Sequence, residues 1–402
     1  MIIPDRPFSY RFSHILILTG IDMRAVTRIN ILQQLALAVL LAIGTTSAQS
    51  AEPSAGRKIL IGMTAPLTGS MGTYGAGLEQ GLRLGFAHLN ANGGIGGRAV
   101  ELLVKDDAGD PVRATSNAQE LANAGILALT GMHGMPAIEA VLPIAERMYL
   151  PVIGVASGAE SLREPPRQNV FNLRAGIRDE TSAMVLHLDT IGLTEIAVLA
   201  QDDALGRAGL EGVQFELMRL AIRPQALLTM RSESSPAELT QAVKAACRNR
   251  PQALVLALNA SNALPVIRAA RRIGCAPQIY VTSEAGAQLA GPELAGVVVA
   301  QVLPHPSAGT IPLVTELQRR LSAAPASARP TYPLLEGYVY AQLISEGLRR
   351  CTSDLVRRCL ISAMESRVID AGGYRVQFSP KDRRGSRFVE MTIVTKDGHF
   401  RR

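Results

Sequence analysis

Residues 58–111, KILIGMTAPLTGSMGTYGAGLEQGLRLGFAHLNANGGIGGRAVELLVKDDAGDP, decide how the chain is read. An apolar run, Ile59, Leu60 and Ile61, stops at a Pro/Thr/Gly/Ser cluster over 66–72. Leu78, Leu82, Gly85, Phe86 and Leu89 then share one face at helical spacing. A glycine-dense turn, a second apolar run and an acidic loop follow. Strand, loop, helix, strand is the unit of a parallel sheet whose crossover helix packs back on it. The loop after the first strand lies at a strand's carboxyl end, where open α/β sheets bind ligands. Its small, polar and aromatic residues, Thr68, Gly69, Ser70 and Tyr74, suit a small polar guest.

The same alternation continues beyond this stretch. Apolar strands are expected at 126–129 and 151–155, then at 195–200, 225–230, 253–258, 278–282 and 297–302, with amphipathic helices between them. Each of two blocks, about 57–175 and 178–303, begins with a fresh strand. Near-continuous apolar strands alternating with helices indicate parallel sheets covered on both faces. Helical segments follow at 333–350 and 352–366, and two β-like runs, 374–378 and 388–394, end the chain. The fold class is therefore α/β, with two Rossmann-like lobes. A cleft between facing carboxyl ends of two sheets is a favoured small-molecule site.

At 402 residues, with 47% hydrophobic and 19% charged, the composition is globular and long enough for two domains. The formal charge is +7, but the basic residues are scattered and tryptophan is absent. No basic run is interleaved with aromatics, so nucleic acid is not an expected partner. Residues 1–51 are set apart from the fold. From Met23 a short basic segment, MRAVTRIN, precedes the apolar stretch LALAVLLAI at 35–43 and small residues at 46–48. This pattern reads as a secretory signal cut near Ala48 or Ala51, with Met23 the expected initiator. Its apolar core is too short for a membrane span of about 20 residues. The mature chain is expected to be soluble and exported to the periplasm. In that compartment Cys247, Cys275, Cys351 and Cys359 can form disulfides, and the preferred pairs are Cys247 with Cys275 and Cys351 with Cys359.

Catalytic patterns fit poorly. Residues 72–77 read GxxGxG rather than the dinucleotide fingerprint GxGxxG, and 154–158 read GVASG rather than the nucleophile elbow GxSxG. Six dispersed histidines show no metal-ligand spacing. Neither an enzyme, a metal site nor a cofactor is expected.

The residues carry a resemblance. The chain resembles the periplasmic solute-binding receptors of the leucine/isoleucine/valine-binding type, which serve ABC importers. The matching pieces are Pro66-Leu67-Thr68-Gly69 with Tyr74-Gly75, the segment NANGGIGGR at 90–98, and Asp106-Asp107 with Asp110-Pro111. Pro151-Val152-Ile153, Gly337-Tyr338 and Gly372-Gly373 through Phe378-Ser379-Pro380 follow in order, so the likeness spans about 57–402. It implies a type I periplasmic binding protein fold: two lobes joined by three hinge crossovers and closing on ligand like a flytrap. The hinges would fall near Arg174, Pro304 and Gly372. The N-terminal lobe would comprise 57–175 with 305–371, and the C-terminal lobe 176–304 with 372–402.

The resemblance also implies a ligand site. A free amino acid offers a carboxylate, which needs hydroxyl or N–H donors, and an ammonium, which needs a carboxylate, because buried charges must be paired. Two first-lobe loops would supply the donors. Here the first has His133, Gly134 and Met135 where the family commonly has serines; the second has Ala156, Ser157 and Gly158, with glycine in place of threonine. Thr68, Ser70 and Tyr74 would line the cleft. From the second lobe, Asp203, Leu205 and Asn259 are candidates, with Leu205 where an aromatic often sits. Glu284 falls near the family's ammonium-binding acid, and a carboxylate at a helix N-terminus is its equal alternative. Asp203 with Asp202 reads in preference as a helix cap. The expected partners are an amino acid or similar small solute and an inner-membrane ABC permease, with the receptor acting as a monomer. A ligand sensor for a membrane signalling partner is the alternative.

Overall fold

The computed structural model describes residues 56–286, 294–323, 329–351 and 354–402. The expected export segment, residues 1–51, lies outside them.

The first lobe runs β1 (Ile59–Ala65), α1 (Gly72–Ala91), β2 (Val100–Asp106), α2 (Pro111–Asn123), β3 (Ala128–Thr130), β4 (Met132–His133), α3 (Met135–Arg147), β5 (Val152–Ile153), β6 (Val155–Ala156) and β7 (Val170–Phe171). Its sheet has the order β2-β1-β3-β5-β7, with every pairing parallel. The strands are apolar on both sides because both faces are covered. Ile59, Ile61 and Met63 share one core with Leu78, Leu82 and Phe86 of α1. Leu121 of α2 and Ile138 and Val141 of α3 fill the other.

The second lobe continues with α4 (Ile177–Thr190), β8 (Ile196–Gln201), α5 (Ala204–Arg219), β9 (Ala226–Met230), α6 (Pro236–Ala246), β10 (Ala253–Ala257), α7 (Ala260–Arg272), β11 (Gln278–Val281), the single turn α8 (Ser283–Gly286) and β12 (Val298–Gln301). Helices α9 (Pro312–Ser322), α10 (Tyr332–Arg350) and α11 (Arg357–Ser366) follow, then β13 (Ile369–Ala371), β14 (Tyr374–Val376), β15 (Glu390–Val394) and β16 (Phe400–Arg401). The second sheet has the order β16-β15-β12-β11-β10-β8-β9. Its body is parallel, and β15 and β16 extend the edge antiparallel. Disulfides Cys247–Cys275 and Cys351–Cys359 form as the spacing suggested, the first fastening the end of α6 to the turn after α7.

Two expectations are corrected. The third hinge does not fall at Gly372, because β13 and β14 pair with each other and Tyr374, Val376 and Phe378 join the first-lobe core. Phe378 meets Phe171 edge-on at 5.2 Å, and the buried Arg383 pairs with Glu365 at 2.6 Å and lies over the Phe171 ring. The chain therefore stays with the first lobe to Gly385, whose N–H bonds Asn172, and enters the second sheet only at β15. The single strand expected at 151–155 is in fact two. Gly154 (φ +75) breaks it beside the Tyr340 ring, and Gly131 (φ +71) breaks the neighbouring strand at the same level. Gly131 N–H donates to the Gly154 carbonyl, so both strands bend together and β4 pairs with β6 beyond the bend. That displaced pair carries His133 and Ala156 away from the sheet.

Helix α10 lies against α1 at a crossing too close for side chains. A Cβ added at Gly337 would stand 2.0 Å from the Leu78 carbonyl oxygen, and one at Gly81 would stand 2.0 Å from that of Leu334. Gly337→Ala should therefore force the helices apart and cost about 1–3 kcal/mol. A urea-denaturation midpoint unchanged by the substitution would contradict this close approach.

Candidate ligand-binding site

The loop after β1 is a scaffold. Asp106, at the end of β2, accepts the Thr68 hydroxyl at 2.6 Å and the N–H groups of Leu67 and Ala108. Burial works against ionisation there, but the Thr68 hydroxyl and these backbone donors hold the carboxyl down at about 2. Thr68 and Ser70 are exposed, and Thr68 spends its hydroxyl on Asp106; neither reaches the residues described next. Tyr74 behaves differently. It enters α1 with its ring buried, its hydroxyl donating to Glu336 at 2.6 Å.

Tyr74 also leans on His133, ring centroids 4.6 Å apart. His133 and Ala156 are the facing residues of the bent β4–β6 pair, so the bend delivers His133 and the loop 157–159 to one place. Gly134 (φ +87) starts α3, and the Met135 side chain turns back into the first-lobe core. Ser157 Oγ donates to Glu284 Oε1 at 2.8 Å, and Gly158 N–H reaches the same oxygen at 2.5 Å. Glu284 sits in α8 of the second lobe, so this bond joins the two lobes. Glycine at 158 has a steric reason, because a Cβ there would lie 2.9 Å from Ile177 Cδ1.

A second layer holds these donors. The buried Arg163 donates to the carbonyls of Ser157, Ala159 and Arg174, and the Gly158 carbonyl accepts from Ile177 N–H. The Ser157 oxygen also accepts from Ala159 N–H at 3.2 Å, which leaves its own proton for Glu284. The loop is thus tied to the first crossing. At that crossing Arg174, buried to 4% exposure, lies with Nε 3.4 Å from Glu336 Oε1, an ion pair rather than an aligned hydrogen bond. Its far end donates to Ser283 Oγ at 3.1 Å, next to Glu284. Ser283 in turn gives its hydroxyl and N–H to the buried Glu180 of α4. Glu336 also accepts the hydroxyls of Tyr74 and Tyr340. Burial alone would depress the Arg174 guanidinium, but Glu336 and its anionic neighbours hold it well above the ordinary range.

The remaining second-lobe candidates do not join this group. Asp203 caps α5 by accepting Gly206 N–H at 3.0 Å and is held by Gln201 and Ser232. Leu205 is half-buried in that helix's first turn. Asn259 caps α7, its side chain accepting from Asn262 N–H and Ser261. The structure therefore assembles Tyr74, His133, Ala156, Ser157, Gly158 and Glu284; Thr68, Met135, Asp203 and Asn259 make structural contacts, and Ser70 stands exposed. Sequence reasoning did not single out Arg163, Arg174, Glu180, Ser283 and Glu336 as members of this polar group. Glu336 had a signal: it is the one acid in the apolar run LLEGYVYA. Among the described residues no group of three or more His, Cys, Asp or Glu could hold a metal.

Two α/β lobes that meet over a buried polar cluster define a solute-binding class of protein. The family model described as periplasmic binding protein matches residues 58–399, and the chain belongs to that family. Its members bind solutes and are not enzymes. The crystal structure of an extracellular ligand-binding receptor from Verminephrobacter eiseniae is 28% identical, covers 86% of this chain and all of its own, and superposes with a TM-score of 0.76. A substrate-binding periplasmic protein from Ralstonia solanacearum is 29% identical over 85% of this chain and 99% of its own, with a TM-score of 0.71. Leu/Ile/Val-binding protein homolog 2 of Brucella abortus is 34% identical over 95 residues, 24% of either chain. The chain thus spans about a quarter of the length of that curated relative.

The buried charges give the site a pH signature. Burial drives the His133 imidazole down to about 4, with Glu284 opposing and Arg174 assisting. Between about pH 6.5 and 4 the unfolded chain takes up a proton here that the folded one refuses, so this group removes stability as pH falls. Glu180 works oppositely, since burial raises its carboxyl to about 7 and the folded state protonates first. The stability of His133→Gln relative to wild type should therefore rise as pH is lowered from 7 to 5 in urea titrations. Parallel pH profiles would contradict a buried neutral imidazole.

Proposed function

We propose that the chain is the extracytoplasmic receptor of an ABC importer, a periplasmic monomer that closes its lobes on an amino acid or closely related small zwitterion. The observation that carries this reading is the convergence of Ser157 O–H and Gly158 N–H on one carboxylate oxygen across the cleft. Donors so placed suit a ligand carboxylate. Glu284, at the same spot, suits the ligand's ammonium, and the rings of Tyr74 and His133 form the adjoining wall. A zwitterion matches both charges, which a closed and dehydrated cleft requires. The export pattern at 23–51 and the Leu/Ile/Val-binding name of the Brucella relative point the same way. Closure would present a joined surface of both lobes to a membrane permease, and a separate ATPase would drive transport.

Isothermal titration calorimetry of the mature protein against the common amino acids should give heat with at least one of them. Ser157→Ala should weaken that ligand by about 1.5–3 kcal/mol, the worth of a hydrogen bond to a charged group. Silence across amino acids and small carboxylates would overturn the proposal.

A further inference from the structure

Residues 239–283 carry six basic residues and no acid. The fold gathers five of them at one pole of the second lobe. Lys244 is in the last turn of α6, Arg248 and Arg250 follow that helix, and Arg271 and Arg272 close α7. All five are exposed. The Cys247–Cys275 bridge holds the two helix ends together, with Cα atoms 6.1 Å apart. Arg271 donates to the Ala295 carbonyl, and the other four meet no acid among the described residues. Glu195, exposed just before β8, is an acid at the same pole, its carbonyl accepting from Gln252 N–H. Helix C-termini draw cations, which accounts for Lys244, Arg271 and Arg272 but not for Arg248 and Arg250 beyond the helix. Ile273 stands among them, 37% exposed at the end of α7.

We propose that this pole is a docking surface for anionic phospholipid headgroups, which holds the protein reversibly against a membrane. Basic side chains are drawn to an anionic bilayer, and an apolar side chain among them gains by entering the boundary between headgroups and acyl chains. Ile273 amid unpaired cations meets both conditions. A protein partner would have to set fixed acids against long side chains that no neighbouring acid holds in position. A fluid headgroup layer conforms to whatever spacing they take. The pole also lies away from the ligand site. Arg250 and Arg272 precede β10 and β11, whereas Asn259 and Glu284 follow them, so a strand's length of about 15 Å separates the two ends. Docking there leaves the cleft free. The membrane meant, the one that holds the permease, rests on the proposed function; the surface itself does not.

Flotation of the mature protein with vesicles of phosphatidylglycerol and phosphatidylcholine in equal parts tests this with no solute present, so it stands or falls apart from the amino-acid reading. Wild type should float with these vesicles, stay behind with pure phosphatidylcholine, and be released by raised salt, which screens exposed charges. Arg248→Gln and Arg272→Gln should each weaken partitioning about fivefold. Ile273→Ser should weaken it at unchanged charge. Arg57→Gln with Lys58→Gln, which removes two exposed charges from the first lobe, should partition like wild type. Circular dichroism and a free-thiol assay check that each variant is folded and bridged. No binding to the anionic vesicles overturns the proposal and turns the pole towards an acidic protein instead. Equal loss in the first-lobe variant also overturns it, because the attraction is then one of net charge alone. Partitioning unchanged in Ile273→Ser overturns the apolar contact.

Discussion

Arg174 is the charge on which the two lobes depend. A buried guanidinium is costly unless its partners surround it, and removing one partner of such a pair typically costs 3–5 kcal/mol. Here the partners come from both sides of the crossing: Glu336 from the helix α10 that packs on the first sheet, and Ser283 from the turn after β11 of the second. Each partner is itself held, Glu336 by the hydroxyls of Tyr74 and Tyr340, Ser283 by Glu180. The network does for polar contacts between the lobes what the apolar cores do within each of them. It also places the loop 157–159, because Arg174's own carbonyl receives Arg163, which holds Ser157.

Seen this way, the cleft is built by backbone breaks and buried ions more than by the loop at 66–74. Paired glycines at 131 and 154 bend two strands out of the sheet, and only through that bend does His133 stand beside Tyr74. The Asp106 carboxylate, fastened to Thr68 and Leu67, keeps the first loop in shape while leaving the cleft to others.

The architecture was legible because its signals are local. Apolar runs of strand length, helical faces such as that of Leu78, Leu82 and Phe86, and turn glycines each report on their own segment. The third hinge was misplaced because Gly372-Gly373 is a hairpin turn, and the packing of Phe378 on Phe171 joins residues some two hundred positions apart. Periodicity carries no information at that range. The same limit governs the site. Ser157 and Glu284 were visible as a donor and an acid at the ends of strands, but their mutual bond was not. Asp203 and Asn259 cap helices, a role that asks for the same side chains at the same position as a ligand contact would. Arg163 and Arg174 carried no such signal, and that they meet Glu336 follows only from the assembled fold.

A crystal structure of the mature chain with an amino acid bound tests the central claim most directly. The expected result has the ligand carboxylate on Ser157 Oγ and Gly158 N, with Glu284 moved onto the ligand ammonium and the Arg174–Glu336 pair intact. Glu284 still bonded to Ser157, with the ligand held by other residues, would contradict it.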